Sequence, residues 1–320
     1  MLPSTKAACE PLPVRHIAEV EPQPAAQRWL IEPLWLEGGC GILGGAPKVC
    51  KTFLAAEMSI AVASGCMALG RYRVQQKGPV LFYCAEDSLA SLRERFMGLS
   101  QARRLALDQL PIYLLDVPVL RLDRRRDLDR LHCAIAELMP RLLVLDPFVR
   151  MAAIDENSAA DVSAVLGSLR ELQRTFALSL MLVHHARKSP AASPAQALRG
   201  SGDFAAWSDT NLYLARRSHK LVLSLEHRSA PSPEPIELRL VVEPSPHLCL
   251  LKDTDDNILP TIDPLQTEIL GHLRSARRPM STVEMRSLLC KRKQDVVRAL
   301  NELVELNQII RTSAGWTLHS

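Results

Sequence analysis

The chain has 320 residues, 47% of them apolar and 23% charged, and carries a formal net charge of +4. This is the composition of an ordinary soluble globular protein, large enough for one core domain of about 200–230 residues plus a small appendage. The charge is too small to establish a nucleic-acid partner by itself, and the lack of any long apolar run argues against a signal peptide or a membrane span.

The eight cysteines form no CxxC pair, and several fall in apolar segments. They read as reduced thiols of a cytoplasmic protein. Residues 1–27 are rich in Pro, Ala and Glu and read as a mobile leader. Residues 28–36, with Trp29 and Trp35, read as a lid-like strand or turn beside the main fold.

Residues 40–43 are a short apolar strand, and 53–63 an Ala-rich helix. Between them runs Gly-Gly-Ala-Pro-Lys-Val-Cys-Lys-Thr, a phosphate-binding loop with one altered letter. Gly45, Lys51 and Thr52 match the pattern, and Cys50 stands where its second glycine belongs. Such a loop aims backbone N–H groups at a phosphate, brings a lysine to its oxygens and offers a hydroxyl to Mg²⁺. Gly45, Ala46, Pro47, Lys48, Val49, Cys50, Lys51, Thr52 and Phe53 are therefore the expected nucleotide-binding set, with the helix N-terminus facing the phosphates.

Strands are expected at 80–84, 112–116, 142–145, 178–183, 212–215 and 221–226, and helices at about 88–99, 127–137 and 158–175. This alternation predicts an α/β fold with a parallel-rich sheet. Asp146 ends an all-apolar strand, at the sheet edge where ligands bind, and is the second expected Mg²⁺ ligand beside Thr52. Glu86 follows the strand 80–84 and is expected to orient and deprotonate a water, with Asp87 or Ser88 capping the next helix. His184 and His185 end another strand, where one of them can sense a terminal phosphate. Beyond them, Arg187, Lys188 and Arg199 suit a nucleic-acid backbone, although a plain surface loop reads equally well. The Pro-rich pieces near 231–235 and 244–246 read as loops, and 251–263 as a linker.

Six segments in order now carry a resemblance: the loop at 44–52, Cys-Ala-Glu-Asp, Leu-Val-Leu-Asp-Pro-Phe, the stretch from Asp155, Leu-Val-His-His-Ala-Arg-Lys and Leu-Arg-Gly-Ser-Gly-Asp-Phe. Over roughly residues 28–250 the chain resembles the RecA-like ATPases of the RepA-type plasmid replicative helicase family. The resemblance implies a RecA-like core, a ring that is usually a homo-hexamer, ATP between subunits and single-stranded DNA in a central channel. It also implies that Glu86 is the catalytic carboxylate, Asp146 the Walker B acid, and His184/His185 the sensor. Arg228 then aligns with the basic residue that reaches a neighbour's γ-phosphate. Two departures bear on turnover: Cys50 for a glycine, and Glu226 where the family often has lysine.

Residues 264–320 hold nine Lys/Arg against five Asp/Glu, a surplus equal to that of the whole chain. Apolar spacing marks one helix by Leu265, Ile269, Leu270 and Leu273, and a second, capped at Ser281/Thr282, by Met285, Leu288 and Leu289. A third carries Val296, Val297, Leu300, Leu303, Val304 and Leu306, and a hairpin follows around Gly315. This resembles a winged helix-turn-helix, with Lys291, Arg292, Lys293 and Arg298 placed for duplex DNA. A protein-docking module with a solvated basic face is the other reading. The sequence thus points to an oligomeric ATPase using ATP and Mg²⁺ and acting on DNA, a replicative-type helicase or loader of a plasmid or mobile element. The alternative is an ATP-sensing DNA-binding regulator with slow turnover.

Overall fold

The structure is a computed structural model. It describes residues 13–21, 24, 28–155, 158–185, 203–217, 220–243, 245–251, 264–276, 278–289, 291–305, 308–312 and 315–318. Arg187, Lys188, Arg199, Leu306, residues 1–12, 22–23 and 25–27 of the expected leader and residues 252–263 of the expected linker lie outside these residues.

A small hairpin of β1 (Trp29–Ile31) and β2 (Trp35–Leu36) leads into β3 (Cys40–Gly45), then α1 (Lys51–Ser64), β4 (Val80–Cys84), α2 (Leu89–Ala102) and β5 (Ile112–Leu114). The chain continues through α3 (Arg125–Leu138), β6 (Leu142–Asp146), the single turn α4 (Phe148–Met151), α5 (Ala159–Phe176) and β7 (Ser179–His185). After the short α6 (Asp203–Trp207), an antiparallel meander follows: β8 (Thr210–Arg217), β9 (Lys220–His227), β10 (Ile236–Val241) and β11 (His247–Leu250).

Among the described residues these strands make one nine-stranded sheet in the order β5-β4-β6-β7-β3-β8-β9-β10-β11. The six from β5 to β8 run parallel, and β9 to β11 alternate. The central strands are continuous apolar runs such as Leu142–Leu145 because helices cover both faces. One core lies between the sheet and α1 and α2, and includes Leu54, Met58, Phe82, Phe96 and Val183. The other lies under α3, α4 and α5, and includes Leu131, Phe148, Val162, Leu169 and Phe204. The expected α/β architecture with a parallel-rich sheet is the architecture present.

Helix α1 carries a buried carboxylate, Glu57, which accepts from the Leu69 backbone N–H at 2.8 Å and from Arg103 Nε at 3.1 Å. Burial pushes Arg103 down to about 10. A paired charge of this kind is costly to break, so the end of α2 stays fastened to α1 and fixes the helix whose first turn follows the loop.

One expectation for the main domain needs correction. Trp29 and Trp35 are buried as foreseen, but their hairpin packs at the amino ends of the strands: Trp29 meets His227 edge-on, and Trp35 lies against Gly41. It is no lid over the loop. The meander strands β10 and β11 were not foreseen.

The C-terminal residues form α7 (Pro264–Ala276), α8 (Thr282–Leu289), α9 (Lys293–Glu305) and a hairpin of β12 (Ile309–Thr312) with β13 (Gly315–Leu318). They share a separate core of Ile269, Leu273, Met285, Val296, Leu300, Leu303 and Trp316. A Cβ at Gly315 would come within 2.6 Å of the Met280 carbonyl, so only glycine lets the hairpin close there. Leu288 and Val304, expected inward, are exposed because each lies at the edge of its helix's apolar stripe.

Candidate nucleotide site

The site gathers at the carboxyl ends of the parallel strands. Gly45 ends β3 between Leu214 of β8 and His185 of β7. A Cβ there would meet the Leu214 carbonyl at 2.4 Å, which explains the glycine. Ala46, Pro47 and Lys48 arch outward and are exposed, whereas Val49 turns into the core. Lys48 and Cys50 both adopt left-handed backbone, at φ 64° and 67°. Cys50 therefore occupies a conformation that glycine takes freely and a side chain only at a cost.

Helix α1 begins at Lys51 with no side-chain cap from Cys50 and no acidic residue in its first turn. Its positive end is left uncompensated toward the loop. Lys51 is 6% exposed, and its ammonium donates to the Gly45 and Ala46 carbonyls at 3.0 and 2.9 Å. Burial holds it below the ordinary lysine range, with Asp146 and Glu86 acting in the opposite sense. The Thr52 hydroxyl donates to Asp146 Oδ2 at 2.6 Å. Burial pushes the Asp146 carboxyl up to about 6 against the effects of Thr52 and Lys51. A half-buried hydroxyl beside a buried carboxylate that carries this desolvation cost is a hard-oxygen donor set suited to Mg²⁺.

The two histidines part company. Successive strand residues face opposite sides of a sheet. His184 is fully buried, stacks on Phe204 at 4.4 Å and meets Phe148 edge-on, so it is part of an aromatic core. His185 Nδ1 lies 3.2 Å from Lys51 Nζ. Of the expected pair, His185 faces the loop.

Glu86 follows β4, and the turn it starts is tied to β6 by the Ala85 N–H donating to the Asp146 carbonyl at 2.8 Å. Ser88 caps α2 by accepting from Ser91 N–H at 3.1 Å, while Asp87 pairs with Arg95 at 2.6 Å. Arg95 lies over the Phe53 ring at 4.8 Å. Three residues escaped the sequence reading. Arg150 donates from Nε to Glu86 Oε1 at 2.9 Å. Arg216, near the end of β8, acts electrostatically on the Cys50 thiol, whose proton is held more tightly than usual by burial. Arg95 is the third. The Arg216-Arg217 doublet closing a strand was a visible signal for the second; nothing local marked the others.

Arg228 is not near this chain's own loop. Its backbone N–H donates to the Asp209 carbonyl, its guanidinium pairs with Asp209 at 3.4 Å and reaches the Ala206 carbonyl. That is the amino end of β8, one residue beyond the row of Gly41, Thr210 and His227, and Gly41 itself lies about 13 Å of strand from Gly45. Glu226 accepts from the Tyr213 hydroxyl at 3.1 Å across β8 and β9. Lys291, Arg292, Lys293 and Arg298 are all exposed at the start and outer face of α9, with Arg298 near Asp295 and Glu302. Among the described residues no cluster of three or more His, Cys, Asp or Glu could hold a metal, and no helix is long and apolar enough to cross a membrane.

No curated protein matches the chain. Solved structures similar to it include a RadB recombinase, 17% identical with a TM-score of 0.48, covering 64% of this chain and 88% of that one. Another is the KaiC-like protein PH0186 of the hyperthermophilic archaeon Pyrococcus horikoshii OT3, 15% identical with a TM-score of 0.45, covering 68% and 93%. Residues 5–191, well over half of the chain, match the AAA domain family. They take in the loop, Glu86, Asp146 and both histidines, and the chain belongs to that family of ATPases.

Proposed function

We propose that this protein is an oligomeric, Mg²⁺-dependent ATPase acting on DNA, a replicative-type helicase or loader of a plasmid or mobile element. The observation that carries the reading is the convergence of Lys51, Thr52, Asp146 and His185 around one loop at the end of β3. The amides of residues 46–52 and the Lys51 ammonium bind the β- and γ-phosphates of ATP, which compete with the Gly45 and Ala46 carbonyls for that ammonium. Thr52 and Asp146 hold Mg²⁺, which neutralises charge developing on the phosphates. Glu86 takes the proton of the attacking water. His185 reports through Lys51 whether the terminal phosphate is present.

Arg228 lies on the edge opposite its own loop, so it serves the site of an adjoining subunit in a ring, with single-stranded DNA in the channel. Residues 264–320 form a winged helix that meets duplex DNA through Lys291, Arg292, Lys293 and Arg298. Arg187, Lys188 and Arg199 contact the strand in the channel. A second reading, an ATP-sensing DNA-binding regulator with slow turnover, is favoured by the hydrogen bond that ties Glu86 to Arg150. Incubation with a forked duplex and ATP separates the two. Strand separation supports the helicase, and ATP-dependent binding without separation supports the regulator.

A further inference from the structure

Residues 121–130, Arg-Leu-Asp-Arg-Arg-Arg-Asp-Leu-Asp-Arg, carry five arginines against three aspartates, and the nucleotide site uses none of them. The segment is fastened to the fold from beneath. Leu120 and Leu122 are buried, Leu122 N–H donates to the Met151 carbonyl at 2.7 Å, and Leu120 N–H donates to the Tyr83 hydroxyl at 3.1 Å. Two of the three acids are engaged locally. Asp123 takes both prongs of Arg121, at 3.0 and 3.2 Å. Asp127 turns inward, accepts from Arg121 N–H at 3.0 Å, and meets Arg130 only at 3.4 Å. Asp129 pairs with Arg125 at 2.8 Å, the two side chains being 57% and 87% exposed. Arg124 and Arg126, both exposed, form no ion pair among the described residues.

Arg125, Arg126, Asp129, Arg130 and Cys133 line an open cleft of about 710 Å³ along α3. We propose that this arginine patch is a second surface for duplex DNA, with Arg124, Arg126 and Arg130 contacting its phosphates, apart from the basic residues of the C-terminal domain. This rests on the reading of the protein as one that acts on DNA. Guanidinium forks fit phosphate oxygens in a two-pronged way, and two of these forks have no carboxylate to satisfy them. The patch also runs against what the helix favours. Arg124, Arg125 and Arg126 fill the N-cap and first two positions of α3, where acids and short polar caps are stabilising, and Arg124 supplies no side-chain cap. The lining decides between kinds of polyanion. It holds no aromatic or aliphatic side chain, so a protein partner would find no apolar anchor and a single strand no ring on which to stack its bases. A duplex backbone needs neither, and its charge is the densest of the three.

The test is fluorescence anisotropy of a labelled duplex, and of an oligothymidylate of equal length, across a salt series with the full-length protein. Arg124→Ala combined with Arg126→Ala breaks no ion pair, so the fold is kept. Duplex affinity in that variant should fall at least about tenfold at moderate salt, and the salt slope should fall by about two. Arg124→Lys combined with Arg126→Lys should keep the slope and lose less affinity, because lysine keeps the charge without the fork. The unfolding midpoint of the alanine variant should equal or exceed the parent's, since cations leave the positive end of a helix. Parental duplex affinity and slope in the alanine variant overturn the proposal and leave the cleft to an acidic protein segment. Tighter binding of oligothymidylate than of duplex, with the alanine variant losing only the former, overturns the duplex assignment. A parent that binds neither DNA defeats the DNA reading itself. Binding that survives in the alanine variant but is lost on replacing Lys291, Arg292 and Lys293 with alanine defeats this patch alone.

Discussion

Thr52 and Asp146 are 94 positions apart in sequence and 2.6 Å apart in space, the threonine hydroxyl donating to carboxylate Oδ2. Strand β6 brings the acid to the carboxyl edge of the sheet, and α1 brings the hydroxyl to meet it. Asp146 is buried and Thr52 half-buried, and the electrostatic cost of the acid's burial can be measured.

Asp146 is pushed up to about 6 from 3.8, chiefly by burial. A carboxyl whose native value lies above its unfolded one binds more protons when folded, so its contribution to stability falls as pH rises from about 4 to about 6. Asp146→Asn escapes that loss. Its unfolding midpoint, measured without nucleotide, should gain on the parent's by on the order of 5 °C between pH 4 and pH 7. A difference that stays constant with pH contradicts the buried-charge account.

Cys50 holds a left-handed backbone at φ 67° that costs a non-glycine residue about 1–2 kcal/mol. Cys50→Gly should therefore raise the unfolding midpoint and keep or tighten nucleotide binding. Because burial disfavours the thiolate, alkylation should be slow at neutral pH, accelerate in alkali, and be blocked by ATP. Unchanged nucleotide affinity in protein alkylated at Cys50 would mean that the loop does not approach the phosphates.

The strands and acids of this site were legible because buried parallel strands are unbroken apolar runs whose last residue must be the ligand-facing one. Leu142–Leu145 before Asp146 and the run ending at His185 announce themselves in that way. The meander was harder to see: β10 and β11 are short, partly exposed and set among prolines, so neither an apolar run nor a clean alternation marks them. Arg150 and Arg95 were invisible for another reason. Which cation faces a given acid or thiol is decided by packing between distant segments, and no local pattern encodes it. The parting of His184 from His185 follows from the pleat, but choosing between them required knowing which face carries α1.

Arg228 sits one residue beyond the row of Gly41, Thr210 and His227, at the edge away from its own loop. If it serves an adjoining subunit, Arg228→Ala should leave nucleotide affinity intact and lower hydrolysis at least about 100-fold. Mixing it with Glu86→Gln protein should restore part of the activity, since some interfaces then pair an intact Glu86 with an intact Arg228. No recovery in subunits shown to co-assemble counts against a shared site.

The exposed basic residues beside α9 make a charge-based prediction. Each phosphate contact removed should lower the salt slope of DNA binding by about one. Replacing Lys291, Arg292 and Lys293 with alanine in the full chain should weaken duplex binding and flatten its salt dependence, with DNA-free ATP hydrolysis near normal. Duplex affinity and slope equal to the parent's would show that this face is solvated or docks on protein.

The central claim is that Lys51 and Glu86 belong to one ATP-hydrolysing site, and the most direct measurement is nucleotide binding and ATP turnover side by side in the parent, Lys51→Ala and Glu86→Gln. The account predicts that Lys51→Ala loses binding or hydrolysis, and that Glu86→Gln binds ATP like the parent while its turnover falls by about 100-fold or more. Parental turnover in both variants would contradict it.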